Sequence, residues 1–248
     1  MGEFMPGLSK YFRRLPRPPR CKACQAPFRG PFAPLLRLSG FRPWPLNRQL
    51  CHHCFNGIDK ARGGAEVPVS LLFADVRGST TLAENMTARD FRTVLDRFYK
   101  AVYGAVDRNH GVIDHLAGDG VMALWTQRFG GRDHPAHALN AGRELVADLM
   151  TDKSLRGRIP AGVGIHTANA WVGVVGESGA HDFTVLGDAP NTVARLGSAA
   201  QTGELMMSSS IAEAVGLDTN ALEERHLELK GKAGPFTAWV EKIRPSGR

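Results

Sequence analysis

Two groups of residues in this 248-residue chain have the types and spacing to do chemistry. The first is Cys21-x-x-Cys24 with Cys51-x-x-Cys54, which together account for every cysteine in the chain. A cytosolic chain rarely uses cysteine for disulfides, so paired C-x-x-C motifs point to a bound metal. A four-thiolate set suits tetrahedral Zn2+, and an iron–sulfur cluster is the alternative. The 26 residues between the motifs exceed the common ribbon spacing, and His52 or His53 offers a replacement for one thiolate. The second group is acidic. Asp75 ends the apolar run Leu72-Phe73-Ala74-Asp75-Val76, and Asp119 sits in Gly118-Asp119-Gly120. A carboxylate at the end of a buried strand is costly without a partner. Taken singly, Asp75 reads as a helix cap and Asp119 as an ordinary turn residue. If their strands are neighbours, the two carboxylates converge at one end of a sheet. Hard oxygen ligands placed that way suit Mg2+ or Mn2+.

The surrounding patterns supply such a scaffold. Val69 to Val76 is nearly unbroken apolar sequence, as expected of a strand buried on both faces. A helical pattern follows from about Thr81 to Asn109, with Leu95, Phe98, Tyr99, Val102 and Val106 three and four apart. Thr81 with Glu84 and Thr87 with Asp90 each fit a capping box, so the helix is expected to start in two steps. Strands at Val112–Leu116 and Val121–Trp125 flank Gly118-Asp119-Gly120, a hairpin signal because Asp-Gly readily takes positive φ. A second helix is expected over about His134 to Met150, then strands near 161–166, 170–175 and 183–186, and a short helix over about Pro190 to Ala199. Strand-like pieces near 205–207, 226–229 and 237–243 close the chain. The leading order, strand–helix–strand–strand–helix–strand, predicts an α/β sandwich with a ferredoxin-like βαββαβ core. Fold alone names no function.

Composition bounds the rest. Apolar content of 43% supports a packed core, and 22% charged residues argues against wholesale disorder. No apolar stretch approaches the roughly 18 residues of a membrane span. No secretory leader is visible either, so the expected location is cytoplasmic. Met1-Gly2-Glu3-Phe4 before Met5 reads as a cloning remnant, and residues 1–20 as an Arg/Pro-rich tail. The cysteine module is expected over 21–57, a linker over 58–66 and the main domain over 67–244. Residues 1–66 hold 12 Lys and Arg against 3 Asp and Glu, whereas the remainder is close to neutral. That excess suits a solvated tail, or attraction to nucleic acid, acidic lipid or an acidic partner. A nucleic-acid role would impose salt-dependent binding, but no aromatic-rich stacking pattern supports one.

Three segments carry a family resemblance. Phe73-Ala74-Asp75-Val76-Arg77-Gly78-Ser79-Thr80, then Gly118-Asp119-Gly120-Val121-Met122-Ala123, then Asp182-Phe183-Thr184-Val185-Leu186-Gly187-Asp188 with Asn191 and Arg195, resemble the class III adenylyl/guanylyl cyclase catalytic domain in order and spacing. The GG(D/E)EF signature of diguanylate cyclases is absent. The resemblance implies that Asp75 and Asp119 hold two Mg2+ or Mn2+ ions, with the carbonyl of Val76 assisting. It implies that Asn191 orients the ribose, that Arg195 stabilises charge on the α-phosphate, and that Lys230 binds the distal phosphates, with Lys232 as a substitute. It also implies a homodimer in which the metal carboxylates of one chain meet the Asn/Arg set of the other. The expected reaction is ATP to 3′,5′-cyclic AMP and pyrophosphate. In the family a Lys four residues before the second metal Asp, and an Asp or Thr seven before the Asn, select adenine. Guanylyl cyclases carry an acid and a Cys-like residue there. Here the two positions are His115 and Thr184, so ATP is expected on the strength of Thr184. A guanylate or mixed-specificity cyclase is the alternative, as is a weak nucleotide-sensing homologue. Ala168 after His166-Thr167, where Gly is usual, and Ala189-Pro190 before Asn191 are milder departures. The cysteine module resembles no family.

Overall fold

A computed structural model describes residues 11–12, 19–45, 47–60, 63–152, 159–176, 182–228 and 235–243. The chain divides into two compact units, Met1–Val67 with Ala170–Leu186, and Pro68–Asn169 with Gly187–Arg248. In chain order the elements are α1 (Ala33–Leu38), α2 (His52–Lys60), β1 (Gly64–Val76), α3 (Ser79–Glu84), α4 (Ala88–Arg108), β2 (Val112–Ala117), β3 (Gly120–Thr126) and α5 (Gln127–Gly130). Then come α6 (His134–Thr151), β4 (Ala161–Val175), β5 (Asp182–Leu186), α7 (Asp188–Ala199), β6 (Glu204–Ser208), α8 (Ser209–Val215), β7 (Glu223–Leu227) and β8 (Phe236–Lys242). The strands lie in the order β2-β3-β1-β4-β6-β8-β7, with β5 paired to β4. The first four reproduce the predicted ferredoxin-like arrangement.

Within the second unit, β3 is buried at every position, as a central strand must be. One core holds Leu72 and Ala74 of β1, Trp125 of β3, the Val94, Phe98, Val102 and Val106 stripe of α4, and Leu145 and Leu149 of α6. Each of these large side chains contributes roughly 1.5–3 kcal/mol by leaving water. A smaller core joins Leu196 of α7 to Met206, Ala238 and Val240. The helix after β1 does start in two steps. Thr87 caps α4, its hydroxyl accepting from the Asp90 amide at 3.2 Å. Thr81 does not cap: Gly78, at φ 62°, turns the chain straight into α3, and Thr81 falls inside that helix. The two strands expected at 161–166 and 170–175 are one strand, β4. Its middle is held by Ser70, whose hydroxyl lies 2.7 Å from that of Thr167. The helices α5 and α8, of four and seven residues, are too short for periodicity to reveal.

The first unit contains the cysteine module. The stretch 27–50 includes α1, with Pro34 tolerated in its first turn. Helix α2 continues to Lys60, so the expected linker from 58 begins as helix. Among the described residues no helix is long and apolar enough to cross a membrane.

Candidate active site

The acidic pair is built by strand register. β1 and β3 are antiparallel, and Asp75 stands opposite Gly120. Asp119 is therefore one step beyond the ladder, in the β2–β3 turn. The Val76 amide donates to the Asp119 carbonyl at 3.1 Å and closes that end of the pair. Gly118 supplies the left-handed φ of 64° that the turn requires, and the Tyr99 hydroxyl donates to its carbonyl.

Burial pushes the Asp75 carboxyl above its ordinary range, the charge of Asp119 adds to the rise, and Arg77 offsets part of it. The Tyr99 phenol is pushed up too, by burial first and then by Asp119 and Asp96. Negative charge is therefore concentrated where β1 and β3 end. Arg77 is directed elsewhere: its guanidinium donates to the Gly197 carbonyl, while its backbone amide donates to the Pro160 carbonyl at 2.8 Å. Two half-buried carboxylates, the charge of Asp119 raising the cost of ionising Asp75, beside a backbone carbonyl, form an all-oxygen donor set. That set fits a hard divalent cation such as Mg2+ or Mn2+.

Asn191 and Arg195 sit one turn apart on α7, Asn191 exposed and Arg195 half-buried. The opposite face of α7, with Thr192, Val193, Leu196 and Gly197, is buried. The helix lies directly on the sheet because there is no side chain between them. A Cβ added at Gly197 would come within 2.9 Å of the Phe73 carbonyl oxygen, and one added at Gly164 would collide with the Gly197 amide nitrogen.

His115 lies next to a register shift in the β2–β3 ladder. Its Nδ1 is 2.9 Å from Oδ2 of Asp114. The Asp114 side chain is 2% exposed and that of His115 is 44% exposed. An imidazole nitrogen donates or accepts according to its tautomer, so this contact ties the His115 ring to the buried carboxyl of Asp114. Thr184 belongs to the first unit, on β5 opposite Gly173 of β4. Lys230 and Lys232 lie outside the described residues.

The structure thus brings Asp75, Val76 and Asp119 together and places Asn191 and Arg195 on a separate element. Sequence reasoning assigned no role to Asp114, Arg77 or Tyr99. Asp114 was detectable only as a carboxylate inside an apolar strand pattern. Arg77 falls within the motif around Asp75, and Tyr99 falls within the apolar stripe of α4.

In the first unit all four cysteines come together, with every Sγ within 4.8 Å of every other. Burial opposes ionisation of Cys21, but hydrogen bonds from Cys24, Cys51 and Cys54 outweigh it and hold that thiol well below its usual range. Cys51 and Cys54 are pushed up, first by their bonds to Cys21. His53 instead stacks on Phe41, with ring centroids 4.8 Å apart.

Comparison with known proteins identifies the domain that carries Asp75 and Asp119. Residues 65–242 match the family model described as the adenylate and guanylate cyclase catalytic domain. An uncharacterised protein of Mycobacterium tuberculosis is 33% identical over 137 residues, 54% of this chain and 24% of that protein. An adenylate cyclase of Anabaena cylindrica is 28% identical over 208 residues, 79% of this chain and 41% of that protein. The chain therefore spans less than half the length of either relative. Among solved structures, the guanylyl cyclase Cya2 superposes with a TM-score of 0.66 at 26% identity, covering 72% of this chain and 93% of that one.

Proposed function

The chain belongs to the adenylate and guanylate cyclase catalytic-domain family, and from that premise we propose that it converts ATP to 3′,5′-cyclic AMP and pyrophosphate. The observation that carries the reading is the Asp75–Asp119 pair, held by β1–β3 register at the end of the sheet. In the reaction the ribose 3′-oxygen bonds to the α-phosphorus, the bond from that phosphorus to the β-phosphate bridging oxygen breaks, and the hydroxyl proton leaves to solvent or phosphate. Asp75, Asp119 and the Val76 carbonyl would hold two Mg2+ or Mn2+ ions, which when bound ease deprotonation of the hydroxyl and neutralise the growing charge. Arg195 offers a fixed fork of donors to the α-phosphate as charge builds there. Asn191, one turn earlier on α7, orients the ribose, and Lys230 takes the distal phosphates. No side chain is needed as a dedicated base.

A homodimer supplies both halves of the site. One chain carries the carboxylates and the Asn/Arg face, so two-fold symmetry makes two equivalent composite sites. Thr184 and His115 read the base. Neutral imidazole offers one donor and one acceptor, so His115 can accept from the amino group of adenine or meet the carbonyl of guanine. His115 in place of the usual lysine favours a second reading, a cyclase of mixed specificity.

The test is incubation of purified protein with ATP or GTP and Mn2+ or Mg2+, followed by assay of both cyclic nucleotides. Cyclic AMP in excess is expected. Cyclic GMP in excess would establish a guanylyl cyclase, and neither product would leave a nucleotide-binding homologue.

A further inference from the structure

The cysteine module has no part in the cyclisation proposed above, and its geometry discriminates between metal centres that the motif spacing leaves open. A mononuclear site and an iron–sulfur cluster both accept four thiolates. They differ in how far apart the sulfurs must stand. Around one ion with metal–sulfur bonds of about 2.3 Å, a regular tetrahedron puts every pair of sulfurs about 3.8 Å apart. In a cluster the thiolates ligate different irons with bridging sulfides between, so some pairs must lie much farther apart. Here no pair of Sγ atoms exceeds 4.8 Å. Cys24 and Cys51, from opposite motifs, are 3.7 Å apart. That is the edge of a one-ion tetrahedron, and the cage has no room for a second metal and inorganic sulfide.

We infer that Cys21, Cys24, Cys51 and Cys54 bind a single Zn2+ as the structural centre of the N-terminal module. All four cysteines are buried, between 0% and 5% exposed, which closes the coordination sphere as a structural zinc site requires. Zinc also outcompetes ferrous iron at a given ligand set. Binding displaces the protons still on the sulfurs and forms four Zn–S bonds, leaving two negative charges on the complex. The local backbone is arranged to meet that charge. The Cys51 amide donates to Cys21 Sγ at 3.2 Å and the Cys54 amide to Cys51 Sγ at 3.4 Å. Cys51 immediately precedes α2 and Cys54 lies in its first turn, where the helix carries partial positive charge. The first motif occupies a tight turn closed by the Gln25 amide on the Cys21 carbonyl at 2.8 Å. The Lys22 amide donates to the Gln49 carbonyl at 2.8 Å and draws the two motifs together.

The experiment is elemental analysis of the purified full chain, with acid-labile sulfide measured on the same sample after exchange into metal-free buffer. One zinc per chain, no labile sulfide, and one zinc released when a mercurial titrates the four thiols are expected. Reconstitution of the demetallated chain with Co2+ should give the intense visible bands of tetrahedral thiolate coordination. Cys54→His, which keeps a zinc ligand, should retain the ion, and Cys54→Ala should lower the zinc content at least tenfold. Iron with labile sulfide, iron without it, or a chain free of both metals would each overturn the inference. Cyclase assay of the same samples keeps the two readings apart, since zinc stoichiometry does not depend on turnover.

Discussion

The amide of Val76 donates to the carbonyl of Asp119 at 3.1 Å, tying the residue after Asp75 to the residue that bears the second carboxylate. With Asp75 opposite Gly120, this contact leaves the two side chains no separate destinations. The cost is visible in Asp75, whose carboxyl is raised by burial and then by its neighbour.

Asp75→Ala or Asp119→Ala should therefore lower cyclase turnover by at least ~100-fold, the scale expected on losing a preorganised charge-stabilising group, with far-ultraviolet circular dichroism unchanged. Near-normal turnover in either variant would sink the assignment. A linked outcome concerns stability. A carboxyl whose folded pKa is raised favours the fold while protonated, and that contribution is lost as pH rises through the folded value. At neutral pH, Asp75→Asn should thus raise the melting temperature of the metal-free protein, while Mn2+ should stabilise the unsubstituted chain more than the variant. Thermal scans with and without Mn2+ check both.

Shared sites make a sharper prediction. Asp75→Ala and Arg195→Ala should each be inactive alone, Arg195→Ala by about 10²–10³-fold. Mixed together they should regain activity, because one interface of the heterodimer then has both sets intact. No recovery despite heterodimer formation shown by mass spectrometry would count against composite sites.

Base choice should run through Asp114 and His115. His115→Lys is expected to sharpen the preference for ATP, because an ammonium is a pure donor whereas neutral imidazole offers one donor and one acceptor. Asp114→Asn removes the carboxyl that holds the His115 ring and should weaken the preference. Losing one specific polar contact to a base typically costs a few kcal/mol of discrimination at most. If His115→Lys and His115→Ala both leave the ATP/GTP ratio unmoved, selectivity resides around Thr184.

A buried ion pair gives a pH test of the fold. Glu204 is 4% exposed at the start of β6 and accepts from Arg225 at 2.9 and 3.1 Å. Burial alone would raise its pKa, but Arg225 and the Gln201 amide outweigh burial and lower it. A depressed carboxyl contributes stability above its unfolded pKa and loses it as pH falls through the folded value. Arg225→Ala should cost about 3 kcal/mol at pH 7 by leaving the charge of Glu204 buried without its cation. The deficit should shrink as pH falls through the carboxylate range. Urea unfolding at both ends of that range measures it, and a deficit that does not shrink would refute the pairing.

Much of the site was legible in the sequence because its signals are local. A polar residue interrupting an apolar strand marks Asp75, an Asp-Gly turn marks Asp119, a four-residue spacing puts Asn191 and Arg195 on one helix face, and a hydroxyl three residues before an acid marks the cap at Thr87. Each depends on backbone preferences within a few residues. Other features depend on contacts between segments distant in the chain. Strand register set Asp75 against Gly120, since a one-residue slip would have preserved the same motifs and sent the carboxylate to the other face. The inward course of β2 buried Asp114 and made it the partner of His115. Packing around two turns 30 residues apart brought four sulfurs to the spacing of a single ion, a distance that no count of intervening residues contains.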